Sequence, residues 1–163
     1  MPVHFGRDAF VAYNSATYGS PTWVEFTTIR DVQIPDGERA TLDASGRDYG
    51  IELFEPGLLK LGIDFMIRTN ESDTPFTFLE TAALLNPTAT GAMLDILILT
   101  GRIATNGNRG FRLDMKIHKF FGEDQALDKI LYRSVKLLPC APTNPPKSVV
   151  ITGGVPVYTT LAV

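Results

Sequence analysis

Apolar and polar residues alternate with a period of two along much of the chain. The clearest run is Leu59, Leu61, Ile63, Phe65 and Ile67, with Lys60, Gly62, Asp64, Met66 and Arg68 on the opposite face. A second sets Phe111, Leu113, Met115 and Ile117 against Arg112, Asp114, Lys116 and His118. Alternation of this kind puts one set of side chains in a core and the other in water, and it predicts half-buried antiparallel strands. Met93–Leu99 is apolar on both faces except at Asp95, and so predicts a central strand. Further strands are predicted near 7–14, 22–34, 38–44 and 128–138. Turn-forming clusters punctuate them at Tyr18-Gly19-Ser20-Pro21, Pro35-Asp36-Gly37 and Asn106-Gly107-Asn108.

One segment has a different period. Thr74-Pro75 offers an N-cap followed by proline at the first helical position. After it, Phe76, Phe78, Leu79, Ala82, Ala83 and Leu85 form a wide apolar arc, with Thr77, Glu80 and Thr81 polar at helical spacing. Asn86-Pro87 stops the helix, because a residue before proline is pushed out of the α region. The expected fold is therefore mainly β: an antiparallel β-sandwich or small barrel with one flanking α-helix at about residues 74–86. Residues 148–163 carry no charge, are rich in β-formers and follow a proline-rich hinge at Pro139–Pro146. They divide the chain into a β domain at 1–147 and a C-terminal extended strand. That strand either completes the domain's own sheet or serves as an inter-subunit arm.

At 163 residues the chain has room for one core of ordinary size. Its apolar content of 44% and charged content of 20% suit a packed domain and argue against disorder. No window holds 18 uncharged apolar residues, which excludes a membrane-spanning helix. Residues 1–8 lack the pattern of a signal peptide, and synthesis in a host cytoplasm is the expectation. The single cysteine, Cys140, excludes an internal disulfide.

Net charge is −3, yet residues 1–100 balance to −8 and residues 101–163 to +5. Acidic density peaks at 31–55, where Asp36, Glu38, Asp43, Asp48, Glu52 and Glu55 are the candidate residues for an acidic surface. Basic density lies at 102–136, with Arg102, Arg112, Lys116, Lys119, Arg133 and Lys136 as candidates for an assembly interface. Two readings stand: the halves neutralise each other within one fold, or the acidic half of one copy meets the basic half of the next. On the second reading, converting Arg112, Lys116 or Lys119 to glutamate weakens assembly more than the fold.

Catalytic constellations are not found in the sequence. His4 and His118 are far apart and lack partners at metal-ligand spacing, and no P-loop, nucleophile elbow or dinucleotide fingerprint occurs. Cys140 has no neighbouring histidine to lower its pKa. No EF-hand spacing organises the carboxylates. The expectation is a non-enzyme without metal or cofactor.

The order of segments resembles the major tail tube proteins of long-tailed bacteriophages. "GRDAFVAYNSATYGSPTWVEFTTIRDVQI" looks like that family's first strands. "ERATLDASGRDYGIELFEPGLLKLGIDFMI" looks like its acidic strand and the long amphipathic strand that follows. "DTPFTFLETAALL" is similar to its single helix, and "RLDMKIHKFFGEDQALDKILYRSVKLLP" to its late strands. The resemblance spans roughly residues 6–140. It implies a structural virion protein whose copies form rings, often hexameric, that stack into a tube. The tube surrounds a tape-measure protein, joins tail-end proteins and later conducts DNA without binding it specifically; no membrane is involved. Type VI secretion tube proteins share that fold and are the near alternative. A β-sandwich carbohydrate-binding module is the alternative from another class, although one tryptophan and five tyrosines are scattered along the chain.

Geometry is compatible with a ring. A compact domain of this length has a radius of gyration of about 15 Å and a diameter of roughly 40 Å. Six equal discs leave a central hole of about one disc's width, ample for a duplex. A basic wall would hold phosphates, so the expected lumen is acidic or neutral. The carboxylates of 31–55 could line it or form the ring-to-ring surface.

Overall fold

The structure, a computed structural model, describes residues 9–33, 61–120, 130–140 and 143–161, together with the strand backbones of 39–43 and 54–59. The strands in chain order are β1 (Phe10–Asn14), β2 (Trp23–Glu25), β3 (Ile29–Gln33), β4 (Arg39–Asp43), β5 (Phe54–Leu59) and β6 (Ile63–Arg68). The helix α1 (Thr74–Leu84) follows, then β7 (Met93–Leu99), β8 (Arg109–Lys119), β9 (Tyr132–Pro139), β10 (Lys147–Thr152) and β11 (Val155–Thr160). Among the described residues the fold is mainly β with one helix, as the period-two patterns require. Nine strands among the described residues form a single antiparallel sheet that is not closed into a barrel, and β4 and β5 pair separately.

The sheet runs β2-β1-β7-β8-β9-β6-β3 and forks at β8. One edge of β8 pairs with β7. The other edge is shared: Arg109–Arg112 pair with β10, and the stretch from Met115 onward pairs with β9. The two end strands of the main path, β2 and β3, are consecutive in sequence and separated only by Phe26–Thr28. Three residues span little more than about 10 Å, so the sheet is bent round until its two ends nearly meet. The expected single strand at 22–34 is therefore two strands. Its break falls at Phe26, which is buried and donates its N–H to the Val11 carbonyl.

Curvature of the sheet creates two cores on opposite faces. The larger holds Val11 and Tyr13 of β1, Leu94, Ile96 and Ile98 of β7, the inward residues of β6, and Phe76, Leu79 and Ala82 of α1. The smaller holds Phe10, Ala12, Leu97 and Leu99 with Val149 and Ile151 of β10. β1 and β7 are thus covered on both faces, which is why Met93–Leu99 is apolar on both faces apart from Asp95. From residue 61 onward the predicted inward set of the first run, Leu61, Ile63, Phe65 and Ile67, is buried. The run is not one strand, however, since β5 ends at Leu59 and β6 begins at Ile63.

The helix starts with Asp73, not Thr74, in the N-cap position, and ends two residues before the predicted limit. Asp73 does not cap with its side chain. It accepts a hydrogen bond from Thr28 Oγ1 at 3.0 Å, fastening the helix start to the β2–β3 crossing. Residues 147–160 form a hairpin, where one extended strand was expected. It turns at Gly153 and Gly154, with φ of 62° and 75°, the left-handed region that a tight two-residue turn of this kind needs. β10 pairs with β8 of the same chain.

Candidate assembly surfaces

The alternation of β8 puts Arg112 and Asp114 on the face opposite Leu113 and Met115, and the sequence alone reads that face as solvated. It is not: Arg112 is 3% and Asp114 6% exposed. The C-terminal hairpin and the 15–22 loop cover Arg112, and Asn144, just before the hairpin, donates its backbone N–H to Asp114 Oδ2 at 2.9 Å. Arg112 Nε donates to Asp95 Oδ1 at 3.0 Å, and its Nη2 donates to Asp95 Oδ2 at 2.6 Å and to the Tyr18 carbonyl at 2.8 Å. The guanidinium lies 3.7 Å from the Tyr18 ring centroid, 5.0 Å from Tyr158 and 5.2 Å from Trp23. Asn14 Nδ2 donates to Asp95 Oδ2, and Trp23 Nε1 donates to the Tyr158 hydroxyl at 3.1 Å. Burial works against the charge on Arg112, but the hydrogen bonds and charge of Asp95 outweigh it and raise the pKa above the usual arginine value. Arg112 therefore joins β7, β8, the 15–22 loop, β2 and β11 within one subunit. The sequence-based reading placed Arg112 on a solvated face, whereas it is buried and paired; replacing it with glutamate is therefore expected to act on the fold first, because a buried charge pair would become a buried repulsion.

Two further basic candidates also have partners inside the chain. Arg133 Nη1 lies 2.7 Å from Glu80 Oε1, joining β9 to α1, and Lys136 Nζ lies 3.8 Å from Asp64 Oδ2 across the β9–β6 pairing. Arg112, Arg133 and Lys136 belong to the basic half of the sequence, and Asp95, Glu80 and Asp64 to the acidic half. Part of the charge split is thus neutralised inside the fold.

Arg102 and Lys119 are exposed, and Lys116 is half-buried at the end of β8. Arg109, also exposed, starts the same strand. None of these four has an ion-pair partner among the described residues. Of the acidic candidates, Asp43 lies on β4 opposite Phe54 and Glu55 on β5 opposite Leu42. Asp36, Glu38, Asp48 and Glu52 lie outside the described residues.

Cys140 sits at the end of β9, where its Sγ donates to the Asp114 carbonyl at 3.5 Å. Burial pushes the thiol pKa up, with Lys116 working against the shift and Asp114 with it. His118 is exposed. Among the described residues no group of His, Cys, Asp and Glu side chains is placed to hold a metal ion.

Sequence reasoning missed the aromatic surround of Arg112. Its one visible signal was Asp95, a lone carboxylate in a strand otherwise apolar on both faces. It also missed the outward face of the hairpin, where Val150, Val155 and Val157 are exposed. The signal there was Gly153-Gly154, which divides the uncharged tail into two strands of equal length.

No family model matches the chain, and no curated protein sequence does. Solved structures are similar in fold. The SPP1 tail tube, determined by solid-state NMR and cryo EM, matches with a TM-score of 0.61 at 12% identity, over 96% of this chain and 79% of that one. The tail of an empty GTA particle, refined with C6 symmetry, matches with a TM-score of 0.57 at 11% identity, over 86% and 96% of the two chains. The PVC sheath–tube complex of an extracellular contractile injection system, in its extended state, gives 0.53 at 13% identity, over 99% and 92%. This chain has the fold of tail tube proteins, along nearly its whole length.

Proposed function

We propose that this chain is a structural subunit of a tail tube. Copies assemble into rings, hexameric in number, and the rings stack into a conduit for DNA in the tail of a virion. The observation that carries this reading is the likeness to the SPP1 tail tube over 96% of the chain. The C6 symmetry of the GTA tail supports six copies per ring. On this reading the protein is not an enzyme, and its partners beyond itself are a tape-measure protein and tail-end proteins.

Arg102, Lys116 and Lys119 face a neighbouring copy, whereas Arg112, Arg133 and Lys136 hold the subunit together. The acidic stretch of Asp36, Glu38, Asp43, Asp48, Glu52 and Glu55 lines the lumen or the ring-to-ring surface, where negative charge keeps a passing duplex from adhering. A second reading, the tube of an injection system, is favoured by the likeness to the PVC sheath–tube complex. Both readings require self-assembly. Negative-stain microscopy of the purified protein tests it: rings or tubes are expected, and a strict monomer at high concentration and low salt overturns both.

A further inference from the structure

Three of the five large apolar side chains exposed among the described residues lie on one face of the C-terminal hairpin: Val150 at 37%, Val155 at 60% and Val157 at 51%. The pairings Val150↔Val157 and Thr152↔Val155 set them side by side. Val149, Ile151 and Tyr158 point the other way, into the smaller core. The hairpin therefore carries apolar side chains on both faces, the outward ones set among Ser148, Thr152 and Thr159, and only the inward face is covered by its own subunit. No Asp, Glu, Lys or Arg occurs from Ser148 to Val163.

Among the described residues the outer edge of β11 has no strand partner, and near the turn it is a poor site for adding one. Leu161 donates its N–H to the Pro146 carbonyl, which fixes the odd-numbered residues of β11 as those bonded to β10. Backbone groups of Pro156, Tyr158 and Thr160 then point to the outer edge. Pro156 has no N–H, so the end of that edge next to the turn lacks a donor, a device of edge strands protected from edge-to-edge pairing.

The elements beside the valine face carry arginines. Val150 pairs in register with Arg109, which is exposed. The 101–108 loop, which carries the exposed Arg102, is tied to the hairpin tip by the bond from Gly154 N–H to Asn106 Oδ1. An apolar centre with a charged rim is the anatomy of a specific interface. The complementary charge is found in the chain itself, whose first 100 residues balance to −8.

We propose that the outward face of the 147–160 hairpin, centred on Val150, Val155 and Val157 and rimmed by Arg102 and Arg109, is a docking surface for the acidic half of a second copy of this chain. The proposal rests on the tube reading and names one surface that serves it. It also gives Arg112 an assembly role without placing it in the interface. Through Tyr158 and Trp23 it fixes the hairpin on the sheet, so the valine face is presented in one orientation before the partner arrives.

The test compares the full-length wild-type chain with Val155→Lys/Val157→Lys and with the milder Val155→Thr/Val157→Thr, which keeps β-branching. Sedimentation velocity and negative-stain microscopy read assembly, and the emission of Trp23, the only tryptophan, reads hairpin docking. The lysine variant is expected to raise the concentration needed for assembly at least tenfold with unchanged Trp23 emission. The threonine variant should fall between it and wild type. Wild-type assembly by both variants overturns the docking surface and leaves the tube reading intact. If the lysine variant loses the Trp23 signature, the threonine variant alone decides, with wild-type assembly again the refuting result. A wild-type chain that stays monomeric overturns both, and valine-dependent binding of that monomer to phosphatidylcholine vesicles would replace the second copy by a membrane.

Discussion

Asp95 and Arg112 set the terms at the scale of single residues, because each is the other's charge partner in a largely dry part of the sheet. Removing one leaves the other's charge without compensation, which costs about 3–5 kcal/mol for a buried pair. Asp95→Ala should therefore lower stability in urea by an amount near the low end of that range, since Asp95 keeps some exposure to water. The double change Asp95→Leu/Arg112→Met should cost less than either single change, since no buried charge remains. Equal and additive losses would mean the pair is not coupled. A second residue-scale effect is alkaline. Burial raises the pKa values of Cys140, Tyr13 and Tyr158, for Tyr13 with help from Asp73 and for Tyr158 against Trp23 and Arg112. These groups bind protons more tightly folded than unfolded, so their contribution is intact below their unfolded pKa values and is lost as pH rises through the folded ones. The thermal midpoint should fall as pH climbs from about 8.5 past 10. Cys140→Ser should remove the earliest part of that fall.

At the scale of elements, β8 determines the fold because three strands depend on it. Gly110 lies where β7, β8 and β10 run side by side, and a Cβ there would come within 1.7 Å of the Ile98 carbonyl oxygen. That atom belongs to the backbone of a central strand and cannot swing aside. Gly110→Ala should force β7 and β8 apart and lower the thermal midpoint more than any alanine substitution on the exposed face of α1. An unchanged midpoint would mean the two strands can separate locally without cost.

The sequence made β6, β7 and α1 legible because each is covered in a way its own period records. Ile63, Phe65 and Ile67 face one core, Met93–Leu99 faces two, and Phe76, Leu79 and Ala82 share one side of a helix. The break at Phe26 left no such mark: a crossing made with a buried aromatic looks like one more strand position. The burial of Arg112 and Asp114 was hidden for a related reason. Alternation says which residues share a face but not that a hairpin some 35 residues further along will cover it. The charge split was plain in the sequence, but the pairing of its members was not, since Arg133–Glu80 and Lys136–Asp64 exist only once β9 lies beside α1 and β6.

At the scale of the whole molecule, the unequal halves have two jobs that salt can separate. Inside the subunit, Arg112–Asp95 is shielded from water, and the more exposed Lys136–Asp64 pair contributes little at any ionic strength. Subunit stability should therefore respond weakly to salt. In the proposed contact between subunits, a basic rim around an uncharged hairpin face would approach an acidic half, and long-range attraction of this kind acts mainly on the encounter. Its range shrinks from about 8 Å at physiological ionic strength to about 3 Å at 1 M. The apolar centre is not screened. Raising salt over that interval should slow assembly by tenfold or more, leave the rate of dissociation on dilution within about twofold, and shift the subunit's thermal midpoint by only a few degrees. Stopped-flow light scattering and circular dichroism across one salt series give all three quantities. Arg102→Glu and Lys119→Glu should reproduce the slowing at low salt without loss of β signal, whereas Arg112→Glu should lose the β signal first. If salt accelerated dissociation as strongly as it slowed association, charge would lie at the centre of the contact instead of its rim, and the valine face would not be its core.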